Sequence, residues 1–79
     1  MNKIVKLISV ATIAKVGKEY PVLVGGHSIG TAIFLNKNEK EEFIFETSYN
    51  NSEDYEHMFD VDTESNELTG IRAKISVDE

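Results

Sequence analysis

From position 71 to position 77 this chain alternates. Ile71, Ala73, Ile75 and Val77 fall on one side, and Arg72, Lys74 and Ser76 on the other. A period of two is the mark of a strand with one buried face and one wet face. The rhythm recurs in short runs and confines the chain to β architectures. Residues 29–35 set Ile33 and Leu35 on one face and Ala32 and Phe34 on the other. Residues 42–46 put Phe43 and Phe45 on a shared face, and residues 57–61 form a further short run. The first third is rich in β-branched residues: Ile4, Val5, Ile8, Val10, Thr12, Ile13 and Val16. They favour extended chain over the helical face that Ile4, Leu7, Ile8 and Ala11 would also make.

Turn residues separate these runs. Val16-Gly17-Lys18 reads as a turn, and residues 19–24 as the second strand. Pro21 has no amide hydrogen, so that strand belongs at a sheet edge or begins near the proline. Gly25-Gly26-His27-Ser28 is a break of the kind that closes a hairpin. Across the polar residues 36–39, Ile33–Leu35 and Phe43–Phe45 give the strongest hairpin signal. Residues 48–54 read as a loop, with Ser52 placed to cap a short helical turn. Residues 63–67 read as a turn before the closing strand, 68–77. The expectation is a mainly β fold: a small SH3-like barrel or a bent antiparallel sheet. It has five to six short strands and at most one short helical turn, in one domain spanning 1–79.

A chain of 79 residues buries only about 60–65% of its unfolded surface, so its core is modest. No cysteine is present to add a disulfide or a thiolate metal site. A homodimer or a bound partner is therefore a reasonable further source of stability. In the opening stretch MNKIVKLISVATIA, Lys6 splits the apolar run. The stretch is read as mature structure, with a secretory signal segment as the alternative, and it is too short to span a membrane. The expected compartment is the cytoplasm, where the lack of disulfides fits.

One stretch resembles a known family. Gly17-Lys18-Glu19-Tyr20-Pro21-Val22-Leu23, then Ala32-Ile33-Phe34-Leu35 and Phe43-Ile44-Phe45, are similar to SH3-like small barrels of short phage and bacterial proteins. The shared pattern is a turn glycine, a tyrosine-bearing strand and a hairpin, over residues 16–47. The resemblance implies a fold and no ligand. The proline-peptide groove of SH3 domains is lined by aromatics including Trp, and this chain has no Trp.

Sites of chemistry are few. Asp60, Asp62 and Glu64 alternate as the first ligands of a calcium loop do. The glycine such a loop needs at its sixth position is Ser65, and the acid at its twelfth is Ile71. A solvated acidic turn is the plain reading, with divalent-cation binding by residues 60–67 as an alternative function. His27 and His57 are the only histidines and match no zinc spacing. His57 sits among acids in sequence, which would raise its pKa. Gly25-Gly26-His27-Ser28-Ile29-Gly30 lacks the ending of a phosphate loop and reads as a β-turn. No residue set defines a reaction class, and neither an enzyme nor a cofactor is expected.

The charge is one-sided. Residues 1–38 carry five lysines against Glu19, and thirteen of the fourteen acids follow Asn38. The halves hold +4 and −10, which makes the chain −6 overall. Lys3, Lys6, Lys15 and Lys18 form a modest basic group, read as a solvated face or as partners for the acidic half. Net negative charge argues against direct nucleic-acid binding. Ten carboxylates between Glu41 and Glu67 are interleaved with Phe43, Phe45, Tyr49, Tyr55, Met58 and Phe59. The pattern offers charge for steering and aromatics for anchoring. The expected function is a small acidic non-enzymatic protein-binding module, a phage or mobile-element inhibitor or adaptor that meets a basic, nucleic-acid-binding type of surface on a host protein. The expected contact residues are Glu46, Glu53, Asp54, Tyr55, Glu56, Phe59, Asp60, Asp62, Glu64 and Glu67. In size and charge the chain resembles small acidic phage inhibitors that mimic DNA phosphates. The alternative to partner binding is a structural or self-associating β module.

Overall fold

A computed structural model describes residues 2–8, 12–50 and 55–75. They form six strands and no helix: β1 (Asn2–Ile8), β2 (Glu19–Val24), β3 (His27–Lys37), β4 (Glu42–Tyr49), β5 (Tyr55–Val61) and β6 (Leu68–Ile75). Among the described residues no helix is long and apolar enough to cross a membrane. The expected cap at Ser52, with Glu53 and Asp54, lies outside the described residues. Ser48 and Tyr49, read as the start of a loop, instead extend β4.

All six strands share one sheet, in the order β1-β4-β3-β2-β6-β5. Neighbours pair antiparallel with one exception. β2 runs parallel to β6, and that register covers only Val22↔Ile71 and Leu23↔Arg72. The proline explains the short join. β2 lies inside the sheet, not at an edge, yet Pro21 offers no amide hydrogen toward β6. Pairing there starts one residue after it. Gly70 passes close against Pro21; a β-carbon at position 70 would stand 3.0 Å from the Pro21 carbonyl oxygen. The β2–β3 hairpin closes through Gly25 and Gly26, with φ of 57° and 83°. Two consecutive positive φ values define the turn whose twist matches that of paired strands.

The sheet curls. Three register shifts interrupt its ladders: at Val22/Leu23 against β3, at Phe34/Asn36 against β4, and at Asp60/Val61 against β6. Each adds a residue to one strand and increases local bend and twist. Phe59 on β5 therefore reaches the rings of β4, although β5 ends the order and β4 is second from its other end. It packs edge-on to Phe43 at 5.3 Å and to Phe45 at 6.1 Å between centroids. Phe34 stacks on Phe43 at 5.1 Å and tilts against Phe45 at 5.2 Å. Around these rings, Val5, Tyr20, Val22, Ala32, Tyr49, Leu68, Ile71 and Ala73 complete the core. The extents of 30 × 26 × 25 Å have no thin direction, as expected of a half-barrel and not of a flat sheet.

The bulge in β3 corrects one expectation. Ala32 and Phe34 face the core and pair with β4, while Leu35 is left out of the register and exposed. The hairpin at this place is real, but Ile33 and Leu35 are on its outer face. In β6, Ile71 and Ala73 are buried as alternation requires, whereas Ile75 is exposed.

Candidate protein-binding surface

Alternation separates what the sequence interleaves. On β4 the inward residues are Phe43, Phe45, Thr47 and Tyr49, all buried, and Glu42 and Glu46 take the other face. On β5, Tyr55, His57 and Phe59 turn inward, while the exposed Glu56 and Met58 point out. Acids and aromatics thus occupy opposite faces. Phe43 and Phe45 are core residues and unavailable as anchors for a partner. Tyr55 lies edge-on to Tyr49 at 5.8 Å and Phe59 packs on β4 as above. Both keep only partial exposure.

The expected contact residues do not form one patch. Glu46 sits on the outer face of β4 between Ile4 of β1 and Ile33 of β3, far along the sheet from β5. Glu56, Asp60, Asp62, Glu64 and Glu67 do come together, along β5 and its turn into β6. Their charge is partly offset by β6. Glu56 pairs with Lys74 and Met58 with Arg72 in the ladder, and Arg72 Nη2 lies 3.6 Å from Asp60 Oδ1. Glu53 and Asp54 lie outside the described residues.

Asp62 serves the turn itself. Its Oδ1 accepts from the Glu64 amide at 3.2 Å, and its Oδ2 from the Ser65 hydroxyl at 3.0 Å. The Asn66 amide donates to the Asp62 carbonyl at 2.8 Å, with Asn66 at φ 58°. Among the described residues no three His, Asp or Glu side chains group as metal ligands.

The main concave feature is a seam the charge pattern gives no hint of. β1 and β5 end the strand order, yet the curl brings them toward each other without a hydrogen-bonded ladder among the described residues. A cleft of about 610 Å³ lies between them, lined by Leu7, Ile8, Met58, Phe59 and Val61, with Lys6 on its rim. A second hollow of about 310 Å³ continues along the seam past Lys3, Tyr49, Tyr55 and His57. One signal for it is present in the sequence. The run Ile4-Val5-Lys6-Leu7-Ile8 is apolar on both faces, and here only its Val5–Leu7 face meets the core. Ile4 is 56% exposed and Ile8 73%.

The environment of His57 is the reverse of the one expected from its neighbours in sequence. Burial of the ring holds its pKa below the usual value, and the charge of Lys3 pushes the same way, against a backbone hydrogen bond involving Tyr55. Of the acids near it in sequence, Glu56 and Asp60 point to the other face of β5. Its Nε2 lies 3.3 Å from the Tyr49 hydroxyl, and Lys3 Nζ is 5.5 Å from the centre of the Tyr49 ring. The N-terminal lysines have aromatic neighbours too: Lys18 lies over Tyr20.

No protein-family model, curated protein or solved structure matches this chain. The likeness to SH3-like barrels therefore rests on the sequence pattern alone.

Proposed function

We propose that the protein is a non-enzymatic binding module, an inhibitor or adaptor, whose β5–β6 hairpin receives a basic extended segment of a partner protein. One observation carries this reading. β5 is a terminal strand whose residues 56–61 have no ladder partner on the outer side among the described residues, and its outward side chains run Glu56, Met58, Asp60: acid, apolar, acid. An edge strand offers main-chain groups to an added strand, and alternate side chains select which strand is accepted. A segment with Lys or Arg four residues apart meets a carboxylate at each, and the residue midway between them meets Met58. Asp62, Glu64 and Glu67 follow in the turn and steer such a segment on approach. Arg72, beside Asp60, and Lys74, the ladder partner of Glu56, lower the charge, which leaves Met58 to supply apolar contact.

The test is calorimetric titration with a synthetic peptide carrying Lys, Val and Lys at alternate positions. Binding is expected at low salt, weaker at physiological salt, and lost in Glu56→Lys. Glu39→Lys, which changes net charge equally in the β3–β4 loop, is expected to retain it. Equal loss in both variants would reduce the effect to net charge and overturn the reading.

A further inference from the structure

We infer that the seam between β1 and β5 binds a small amphiphilic anion, of the class of a free alkyl carboxylate, with the alkyl chain in the apolar cleft and the carboxylate among the lysines beside it. This site is independent of the proposed use of the β5 edge.

β1 and β5 meet within the chain, so one molecule walls the seam on both sides. The cleft of about 610 Å³ falls within the roughly 300–1,000 Å³ of small-molecule sites. Leu7 and Ile8 line one side of it, and Met58, Phe59 and Val61 the other. Ile8 is 73% exposed and Met58 43%. Exposed apolar groups gathered at one concave place mark a binding groove. An alkyl chain laid between them takes apolar surface of both ligand and protein out of water.

Polarity changes along the seam. The adjoining hollow of about 310 Å³ adds Lys3 and Tyr49 to its lining, and Lys6, Leu7 and His57 line both spaces. Lys6 therefore stands where the apolar and polar parts join. Lys3 Nζ lies 5.5 Å from the centre of the Tyr49 ring, and the Tyr49 hydroxyl lies 3.3 Å from His57 Nε2. Charge fixes the sign of the head group. The chain has fourteen acids and a net charge of −6, yet among the described residues no acid lines either space. Glu56 and Asp60 take the other face of β5. Lys3 and Lys6 are the permanent charges here, and among the described residues neither forms an ion pair. A carboxylate beside them supplies the missing counter-charge and accepts charge-assisted hydrogen bonds. A cationic head group is repelled, and a neutral one gains only the apolar part.

Calorimetric titration of the full chain with sodium decanoate, below its micelle concentration, tests this. One-to-one binding is expected. Affinity should rise by about threefold to fourfold for each methylene added between hexanoate and decanoate. The NMR signals of Ile8, Met58 and Val61 should shift on binding. Decyltrimethylammonium, with the same chain and a cationic head, should not bind to the wild type. Lys6→Glu is an exposed change, checked for folding by circular dichroism. It should weaken decanoate by about tenfold and admit the cation. Lys18→Glu alters net charge equally just before β2 and should bind decanoate as the wild type does. No binding at millimolar decanoate, shifts that map elsewhere, equal binding of the two head groups, or equal loss in the two lysine variants overturns the inference. Binding of decanoate without binding of the Lys-Val peptide removes the proposed edge and leaves this site standing. Binding of the peptide without decanoate does the reverse.

Discussion

Which way a side chain points decides its chemistry more than which residues precede it. His57 has acids on its own strand, yet they point to water while its ring points toward Tyr49 and Lys3. Desolvation first, and Lys3 second, favour the neutral ring in the fold. The sign of the pH effect follows. As pH falls below the ordinary value of 6.5, the unfolded chain takes up a proton that the folded ring resists, and stability drops. This contribution is complete above that pH and is lost as pH falls toward the folded pKa. Urea unfolding between neutral and mildly acid pH should show the fall, and His57→Gln should flatten it. Lys3→Gln should raise the His57 pKa toward its ordinary value, read by NMR titration. An unchanged value would remove Lys3 from the account.

At the scale of elements, the β3–β4 turn shows a local choice held by its surroundings. The Glu41 amide donates to the Asn38 carbonyl at 3.2 Å, and Asn38 Oδ1 accepts from the amides of Lys40 and Glu42. Glu41 then sits at φ 63°, the left-handed place after a type I turn that glycine usually fills. The left-handed conformation costs a non-glycine residue about 1–2 kcal/mol, against about 0.5–1 kcal/mol for the added freedom of an unfolded glycine. The exposed Lys37–Glu41 pair at 2.6 Å adds little. Glu41→Gly should therefore stabilise the protein by about 0.5 kcal/mol in urea unfolding. Asn66→Gly at the β5–β6 turn should gain less, because asparagine tolerates that conformation. A loss of stability in Glu41→Gly would contradict the strain. The turns and strand identities were legible because they depend on residues close in sequence: Gly25-Gly26, the polar stretch at 36–39, and the alternation of β4 and β6. The core face of β3 was not, because the bulge at Leu35 is set by pairing with β4. Nor was the interior place of β2, since the partner beyond Pro21 comes from the far end of the chain. The acids of β5 and its turn were legible as a group. The seam was not, because its two lips are brought together only by the curl of the whole sheet.

The whole molecule consists of two antiparallel units with a narrow join. β1, β4, β3 and β2 form one; the β5–β6 hairpin forms the other. Main-chain pairing between strands of the two units is confined to Val22↔Ile71 and Leu23↔Arg72 among the described residues. The isolated bridge Ile13↔Glu67 adds to it, with the Ile13 amide donating to the Asn66 carbonyl at 2.7 Å. Side chains do the rest: Ile71 and Val22 are fully buried, and Phe59 rests on Phe43 and Phe45. A join of this kind opens as a unit at less than the free energy of global unfolding. Native-state hydrogen exchange should resolve two levels. Amides paired within β3 and β4, which have neighbours on both sides, should exchange only by global unfolding. Amides paired between β5 and β6 should share a lower opening energy among themselves. Gly70→Ala, which sets a β-carbon 3.0 Å from the Pro21 carbonyl oxygen, should lower the second level more than the first. A single common opening energy for β3, β4, β5 and β6 would mean that side-chain packing across the join, not its short ladder, sets the cooperativity of the sheet. The same hairpin carries the proposed binding edge, so a ligand strand that adds to β5 should raise the lower level toward the global one.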